Sequence, residues 1–434
     1  MKVSIALQFI FFFAVLSCSS VSLSGDASLD IGIIREEQRL ERFAVDEDHL
    51  TVDGCIEELL QLAAPERREL WREILVGKAL VSIGDNRGAL QAYDRVLKDH
   101  TREQLGELAY AFVTRHRARA LSKVGKRDES IAILTELATE LETWDESELK
   151  EQFILAQVAL ADFLWESNQY ELEGAILDKL AEDYAGDEDP FLDLQALYAK
   201  MHRAINYEAR GEHGATHRMY DEVIAATESG TEPEYRALES WARLSKGILL
   251  AKSLRNYEAT ETFLALQEKF SGDNVPFVSG MVAMGMYNRG VLINDKKEAI
   301  AFFDEVIGRY AEHPDPYVQS WAVASILNKS VLLGEIGDVE GRWSGYEEVI
   351  ERFGGNRKAA SLQAVTLALY NQGLLLWEDG KNGPALAKFE EIMRRLPPLE
   401  RIPEAERDLF TMYREFAKEA IALLEAGKSF DDFD

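Results

Sequence analysis

Residues 370–397 read YNQGLLLWEDGKNGPALAKFEEIMRRLP, and this stretch decides the fold. Its first part, up to Gly380, carries apolar residues at intervals of three and four, as an amphipathic helix requires. Gly380 lies where a short connection between two helices needs a positive φ. A second segment with apolar residues at helical spacing covers residues 385–392. The stretch therefore predicts a helix, a tight turn and a second helix.

Similar segments recur along the chain. Each contains a large apolar residue, here called its anchor, followed three positions later by another apolar residue. Eight anchors occur, at spacings of 41, 43, 43, 43, 40, 43 and 43 residues. They are Tyr93, Leu134, Leu177, Tyr220, Phe263, Phe303, Tyr346 and Phe389. Glycines at the expected turns are Gly84, Gly125, Gly211, Gly337 and Gly380. This regularity predicts an array of stacked helix–turn–helix units.

The last unit resembles the tetratricopeptide repeat. The matching residues are Tyr370, Asn371, Gly373, Gly380, Ala385, Phe389, Ile392 and Pro397. The period exceeds the family's usual length of about 34 residues and is similar to its bacterial variants of about 42. The resemblance implies an all-α fold, a right-handed superhelical solenoid of about eight repeats over residues 51–402. We expect a capping helix at 403–427 and a disordered tail at 428–434.

Composition narrows the function classes. The chain has 434 residues, of which 47% are hydrophobic, so it can bury a substantial core. It has 48 Lys and Arg against 77 Asp and Glu, a net charge of −29. Phosphate binding needs clustered cations, so this charge argues against a nucleic-acid partner. With only 2 cysteines, a disulfide scaffold is excluded.

The N-terminal residues predict export. Residues 1–25 contain a short apolar run followed by a serine-rich stretch, which is typical of a secretory signal. The segment ending in Cys18 resembles a bacterial lipoprotein signal, which implies lipidation of Cys18 and a place in the cell envelope. Ordinary cleavage with secretion and an uncleaved anchor remain alternatives. Residues 26–50 are polar and fit a flexible tether.

No motif predicts catalysis, a cofactor or a metal. Residues 422–429 fit a loose phosphate-loop pattern, but a predicted helix precedes them where a strand is needed. His213 and His217 are one helical turn apart, yet no third ligand stands at a suitable spacing. Cys55 lacks any paired metal-ligand spacing. We therefore predict that the chain is not an enzyme.

One polar row stands out in three successive first helices. Its members are Asn288, Asn328 and Asn371. Each is followed by a hydrogen-bond donor: Arg289, Lys329 and Gln372 respectively. In the tetratricopeptide family this place faces the concave groove, so the resemblance implies that these six residues bind a partner. Hydrogen bonding between neighbouring helices is the alternative.

Together these features predict an exported, non-catalytic scaffold that binds a protein or peptide in its concave groove. The acidic chain favours a partner with a basic surface, through steering. Envelope assembly or secretion is the expected setting, and membrane contact is expected only through the lipid anchor. An adaptor for polysaccharide or peptidoglycan machinery is one alternative, and an enzyme with an unrecognised site is another.

Overall fold

The computed structural model describes residues 56–57, 60–61, 67–82, 84–142, 144, 147–355, 359–398 and 404–430. Within these ranges lie seventeen complete helices and no strand. The first helices of the repeats are α1 (Arg68–Ser82), α3 (Arg102–Lys123), α5 (Ser147–Glu166), α7 (Pro190–Ala209), α9 (Pro233–Lys252), α11 (Pro276–Val291), α13 (Pro316–Glu335) and α15 (Ala359–Glu378). The second helices are α2 (Asn86–Asp99), α4 (Arg127–Leu141), α6 (Tyr170–Tyr184), α8 (His213–Thr227), α10 (Asn256–Phe270), α12 (Lys296–Tyr310), α14 (Val339–Phe353) and α16 (Asn382–Arg395). Helix α17 (Glu404–Glu425) follows.

The described residues form two compact units that divide between Glu239 and Ser240. We call residues 56–239 unit N and residues 240–430 unit C. Within each unit, helices that follow one another pack side by side. First helices also pack on the first helices of adjoining repeats, as α3 does on α5 and α13 on α15. The fold is thus an all-α repeat solenoid, which confirms the predicted class and the eight helix pairs.

The turns between paired helices have the backbone conformation that the sequence predicts. The five expected glycines all have positive φ, between 71° and 89°. In the third and fifth repeats Asn168 and Leu254 take this place, with φ of 58° and 59°. Only glycine adopts such angles without steric cost, so these two turns carry some strain.

Helix starts follow from local chemistry as well. At the start of α3, the backbone N–H of Gln104 donates to the side-chain hydroxyl oxygen of Thr101, and the backbone N–H of Thr101 donates to the side-chain oxygen of Gln104. These two reciprocal hydrogen bonds form a capping box. Asp315 caps α13, and Pro316 occupies its first position, where no backbone hydrogen bond is lost. Helix α11 has 16 residues where most first helices have 20, which accounts for the short spacing before Phe303.

The eight anchors form the core that the sequence predicts. Each is at most 2% exposed. In several repeats the anchor ring packs directly over a glycine of the first helix, as Phe263 does over Gly247 and Phe389 over Gly373. The absence of a side chain at these glycines brings the paired helices close together.

Replacing Gly247 by Ala is expected to lower the free energy of unfolding by about 1–3 kcal/mol. A Cβ there would lie within 2.9 Å of three atoms of the Phe263 ring. Gly308→Ala is the matched control, because nothing lies within 4 Å of a Cβ on that exposed glycine of α12. The control should gain about 0.5–1 kcal/mol from helix propensity. Urea denaturation measures both, and equal effects would contradict the packing.

The C-terminal helix was predicted as a cap at residues 403–427, and α17 occupies this region. It packs on α15 and α16, where Phe410, Tyr413 and Ala417 join the core of unit C. The tail was expected to be disordered from residue 428. At the start of this segment, the indole Nε1 of Trp377 donates a hydrogen bond to the carbonyl of Lys428 at 3.3 Å.

The predicted signal segment, the tether, Cys18 and Cys55 lie outside the described residues, as do residues 431–434. In the part of the chain that the structure describes, no helix combines the length and apolar composition of a membrane span.

Candidate functional site

The asparagine row of unit C lies largely inside the helix packing. Asn288 and Asn328 are each 4% exposed. The side-chain amide of Asn288 donates to the carbonyl of Met284 at 2.9 Å, and that of Asn328 donates to the hydroxyl of Tyr287 at 2.8 Å. Asn371 remains partly exposed. The Asn328 contact joins two helices, as the alternative expects, whereas Asn288 bonds to the preceding turn of its own helix. Partner binding by this row stays a prediction.

Two of the donors that follow the asparagines contact the preceding repeat. Arg289 donates to the side chain of Gln267 on α10 at 3.2 Å. Lys329 forms an ion pair with Asp304 on α12 at 2.5 Å. Gln372 is fully buried, and neither atom of its amide has a hydrogen-bond partner among the described residues. Arg289 and Lys329 therefore join neighbouring repeats, and partner binding by the three donors stays a prediction.

Ion pairs of the same kind recur in unit N. The cation stands 17 residues before the anchor of its own repeat, and the aspartate directly follows the anchor of the preceding repeat. We call these contacts the inter-repeat pairs: Arg117–Asp94 at 2.6 Å, Arg203–Asp178 at 2.8 Å and Lys329–Asp304 at 2.5 Å. Their chemistry is structural, because each joins a first helix to the second helix before it.

A buried polar cluster joins α6 to α7 in unit N. Asn206 is fully buried, and its side-chain nitrogen donates to Glu173 at 2.7 Å and to the carbonyl of Tyr170 at 2.8 Å. Its oxygen accepts from Arg203 at 2.8 Å. The same guanidinium donates through two nitrogens to Asp178, each at 2.8 Å. Every polar atom of the central amide is therefore used, as burial demands.

Burial perturbs the titration of this region. It raises the pKa of Glu173 to about 7, while the hydrogen bond from Asn206 opposes the shift. Burial also raises the pKa of Asp162 on α5 and lowers the pKa of His202 on α7. The Coulomb attraction between Asp162 and His202 opposes both of the latter shifts. A carboxyl that titrates near neutrality thus lies beside an acid–histidine pair.

Charged side chains surround Asp162 on the first helices of unit N. Arg119 and Lys123 are exposed on α3, and Glu166 is exposed on α5. All three act electrostatically on Asp162, as His202 does. We call these five residues the charged face. It offers cations and carboxylates together, which suits a partner that carries both signs of charge.

A cavity between helices α4, α5 and α6 of unit N shares no residue with the charged face. Within the described ranges, no group of three His, Cys, Asp or Glu side chains is arranged to hold a metal ion.

The sequence prediction overlooked Glu173. It stands four residues before the anchor Leu177, a place that is small or short in six of the seven other repeats and is Arg342 in the remaining one. The small or short residues there are Ala89, Ser130, Thr216, Ala259, Ala299 and Ala385, each at most 2% exposed. A carboxylate aligned with these buried residues was the available signal.

Stability is expected to depend on the proton at Glu173. Between pH 4.5 and 7 the folded state keeps a proton that the unfolded state has released. The free energy of unfolding should therefore fall as the pH rises through this range, by on the order of 1–3 kcal/mol. Glu173→Gln should reduce this fall in urea denaturation at pH 5 and pH 8. Glu182→Gln, an exposed site on the same helix, should leave it unchanged. A wild-type slope in the Glu173 variant would contradict the assignment.

Comparisons with known proteins fit this geometry. No protein-family model and no curated protein matches the chain. The solved apo form of RapI is similar in structure, with a TM-score of 0.52 and 9% identity, over 92% of this chain and 99% of that chain. The fold is TPR-like. The apo quorum sensor NprR from B. thuringiensis has 13% identity and a TM-score of 0.45, over 85% of this chain and 95% of its own. The structural similarity to RapI supports the fold, and a sequence identity of 9% leaves the function open.

Proposed function

We propose that the chain is a non-catalytic scaffold that binds a protein or peptide on the charged face of unit N. The observation that carries this proposal is the placement of exposed ionic side chains on α3 and α5, around Asp162 and His202. The exposed cations Arg119 and Lys123 are available to a partner, whereas Glu166 forms an ion pair with Arg127 at 2.8 Å. Partner contact by Asn371, which is partly exposed in unit C, is a separate part of the proposal.

The partner is proposed to have a basic surface overall, since the chain carries a net charge of −29. Long-range attraction speeds the encounter with such a partner, whereas the charged face provides local contacts. Export and lipidation at Cys18 remain part of the proposal. They are supported by the apolar and serine-rich composition of residues 1–25.

The test is quantitative capture of envelope proteins by the immobilised chain after crosslinking. In the double variant Arg119→Ala/Lys123→Ala, capture should weaken about two- to thirtyfold, since each exposed ionic contact contributes about 0.2–1 kcal/mol. The matched control is Arg95→Ala/Lys98→Ala on α2, which removes two exposed cations from a second helix. Both variants change the net charge of the chain equally, so the long-range electrostatic attraction of the partner is the same in both. Equal capture by the two variants would overturn the assignment to the charged face.

A further inference from the structure

A cavity of about 380 Å³ opens in unit N between helices α4, α5 and α6. Most of its lining is apolar, and the main contributors are Ile131, Phe153, Leu160, Leu164, Leu172 and Leu180. Leu172 lies at the rim and is 57% exposed, which is unusual for a leucine of a folded core. The volume falls at the small end of the range of ligand sites, about 300–1,000 Å³.

The cavity lies where an inter-repeat pair is missing. The positions that hold the cation and the aspartate at three other interfaces are held here by Leu160 and Thr135. Both line the cavity. The same two positions also lack the pair at two other junctions, where they hold Met286 with Leu264 and Gln372 with Glu347. At the junction of the second and third repeats both side chains line the cavity, so this part of its wall is uncharged.

The polar groups of the lining leave little for an anionic ligand to bind, since they include the exposed carboxylate of Asp183. The Thr135 hydroxyl donates to the carbonyl of Ile131 at 2.8 Å. Lys179 is already paired with Glu142. The buried side-chain oxygen of Gln157 has no hydrogen-bond partner among the described residues, and so remains available as an acceptor. An uncharged apolar molecule with one hydrogen-bond donor fits this chemistry.

We propose that the cavity is a binding site for a small, uncharged apolar molecule. Burial of apolar surface supplies the binding free energy, and the Gln157 oxygen accepts one hydrogen bond. The site is formed largely by second helices, so it does not depend on the charged face or on the protein partner proposed for it.

The probe for this site is 2-naphthol, an uncharged two-ring molecule with one hydroxyl donor, titrated against the full chain and followed by its fluorescence. Wild type should bind it at one site with a Kd of about 0.1–1 mM, as expected for a ligand of this size. 2-Naphthoate has the same rings and a negative charge, and it should bind more weakly. Tighter binding of 2-naphthoate would overturn the uncharged class.

Two variants should close the site. Leu160→Arg/Thr135→Asp restores the pair found at the neighbouring interfaces and should weaken 2-naphthol binding at least tenfold without loss of thermal stability. Ala175→Trp fills the cavity from an exposed position on its rim, so it should have the same effect if the double variant folds poorly. Ala226→Trp, an exposed site on α8, is the control and should bind as wild type does. No binding by wild type, or equal binding by wild type and Ala175→Trp, would overturn the proposal.

Discussion

Replacing Phe389 by Ala is expected to lower the free energy of unfolding by about 3–5 kcal/mol. The ring is fully buried and packs over Gly373, where a Cβ would lie 2.8–3.1 Å from three ring atoms. It also meets Tyr370 and Trp377 edge to face, with ring centroids 5.9 and 6.4 Å away. The glycine cannot fill the space that the ring leaves, so the cavity should persist.

The control for this prediction is Tyr257→Ala. That aromatic ring is 77% exposed at the start of α10, so its removal should change the free energy of unfolding by less than about 0.5 kcal/mol. Urea denaturation, followed by far-ultraviolet circular dichroism, measures both variants. A loss at Phe389 no larger than that at Tyr257 would show that the anchors do not support the repeats.

Asn206→Ala is expected to lower the free energy of unfolding by about 2–4 kcal/mol. The substitution removes three hydrogen bonds at a fully buried position. It leaves the carbonyl of Tyr170 and the carboxyl of Glu173 without that donor. Because the lost bond opposes the raised pKa of Glu173, that pKa should rise further in the variant.

Two readouts distinguish this role from a general loss of packing. Asn256→Ala, at an exposed position on α10, should be close to neutral in urea denaturation. In the Asn206 variant, the pH range over which stability falls should also move to higher pH, as checked by melting temperatures from pH 5 to pH 9. A variant with unchanged stability and an unchanged pH range would show that the cluster does not join α6 to α7.

Much of the fold could be predicted because the residues that determine the helices, turns and packing of each repeat lie close together in sequence. The anchor Phe389 and its small partners Gly373 and Ala385 lie at spacings that recur in other repeats, and a turn glycine such as Gly84 follows the end of a first helix. These features depend on residues close in sequence, and eight copies reinforce one another. Leu134 and Leu177, whose repeats match the others less closely, were predicted as anchors from their spacing, and both are buried.

The environment of the polar row could not be predicted in the same way. Asn328 donates a hydrogen bond to Tyr287, which lies 41 residues earlier in the preceding repeat. The position of an asparagine within its own repeat does not predict a partner so distant in sequence. The inter-repeat position of Lys329 likewise depends on Asp304. These residues were predicted to bind a partner because the family's corresponding position faces the concave groove, whereas the hydrogen-bond partners of a buried residue come from the fold around it.

The inter-repeat pairs also limit how such a chain can be rearranged in evolution. Repeats of nearly equal length look interchangeable, and recombination could in principle duplicate or reorder them. However, the cation belongs to one repeat and its aspartate to the repeat before it. If the third repeat directly followed the first, Leu160 would stand against the carboxylate of Asp94. Shuffling that preserves these pairs must therefore move matched neighbours together, so at such places the conserved unit is the junction between two repeats.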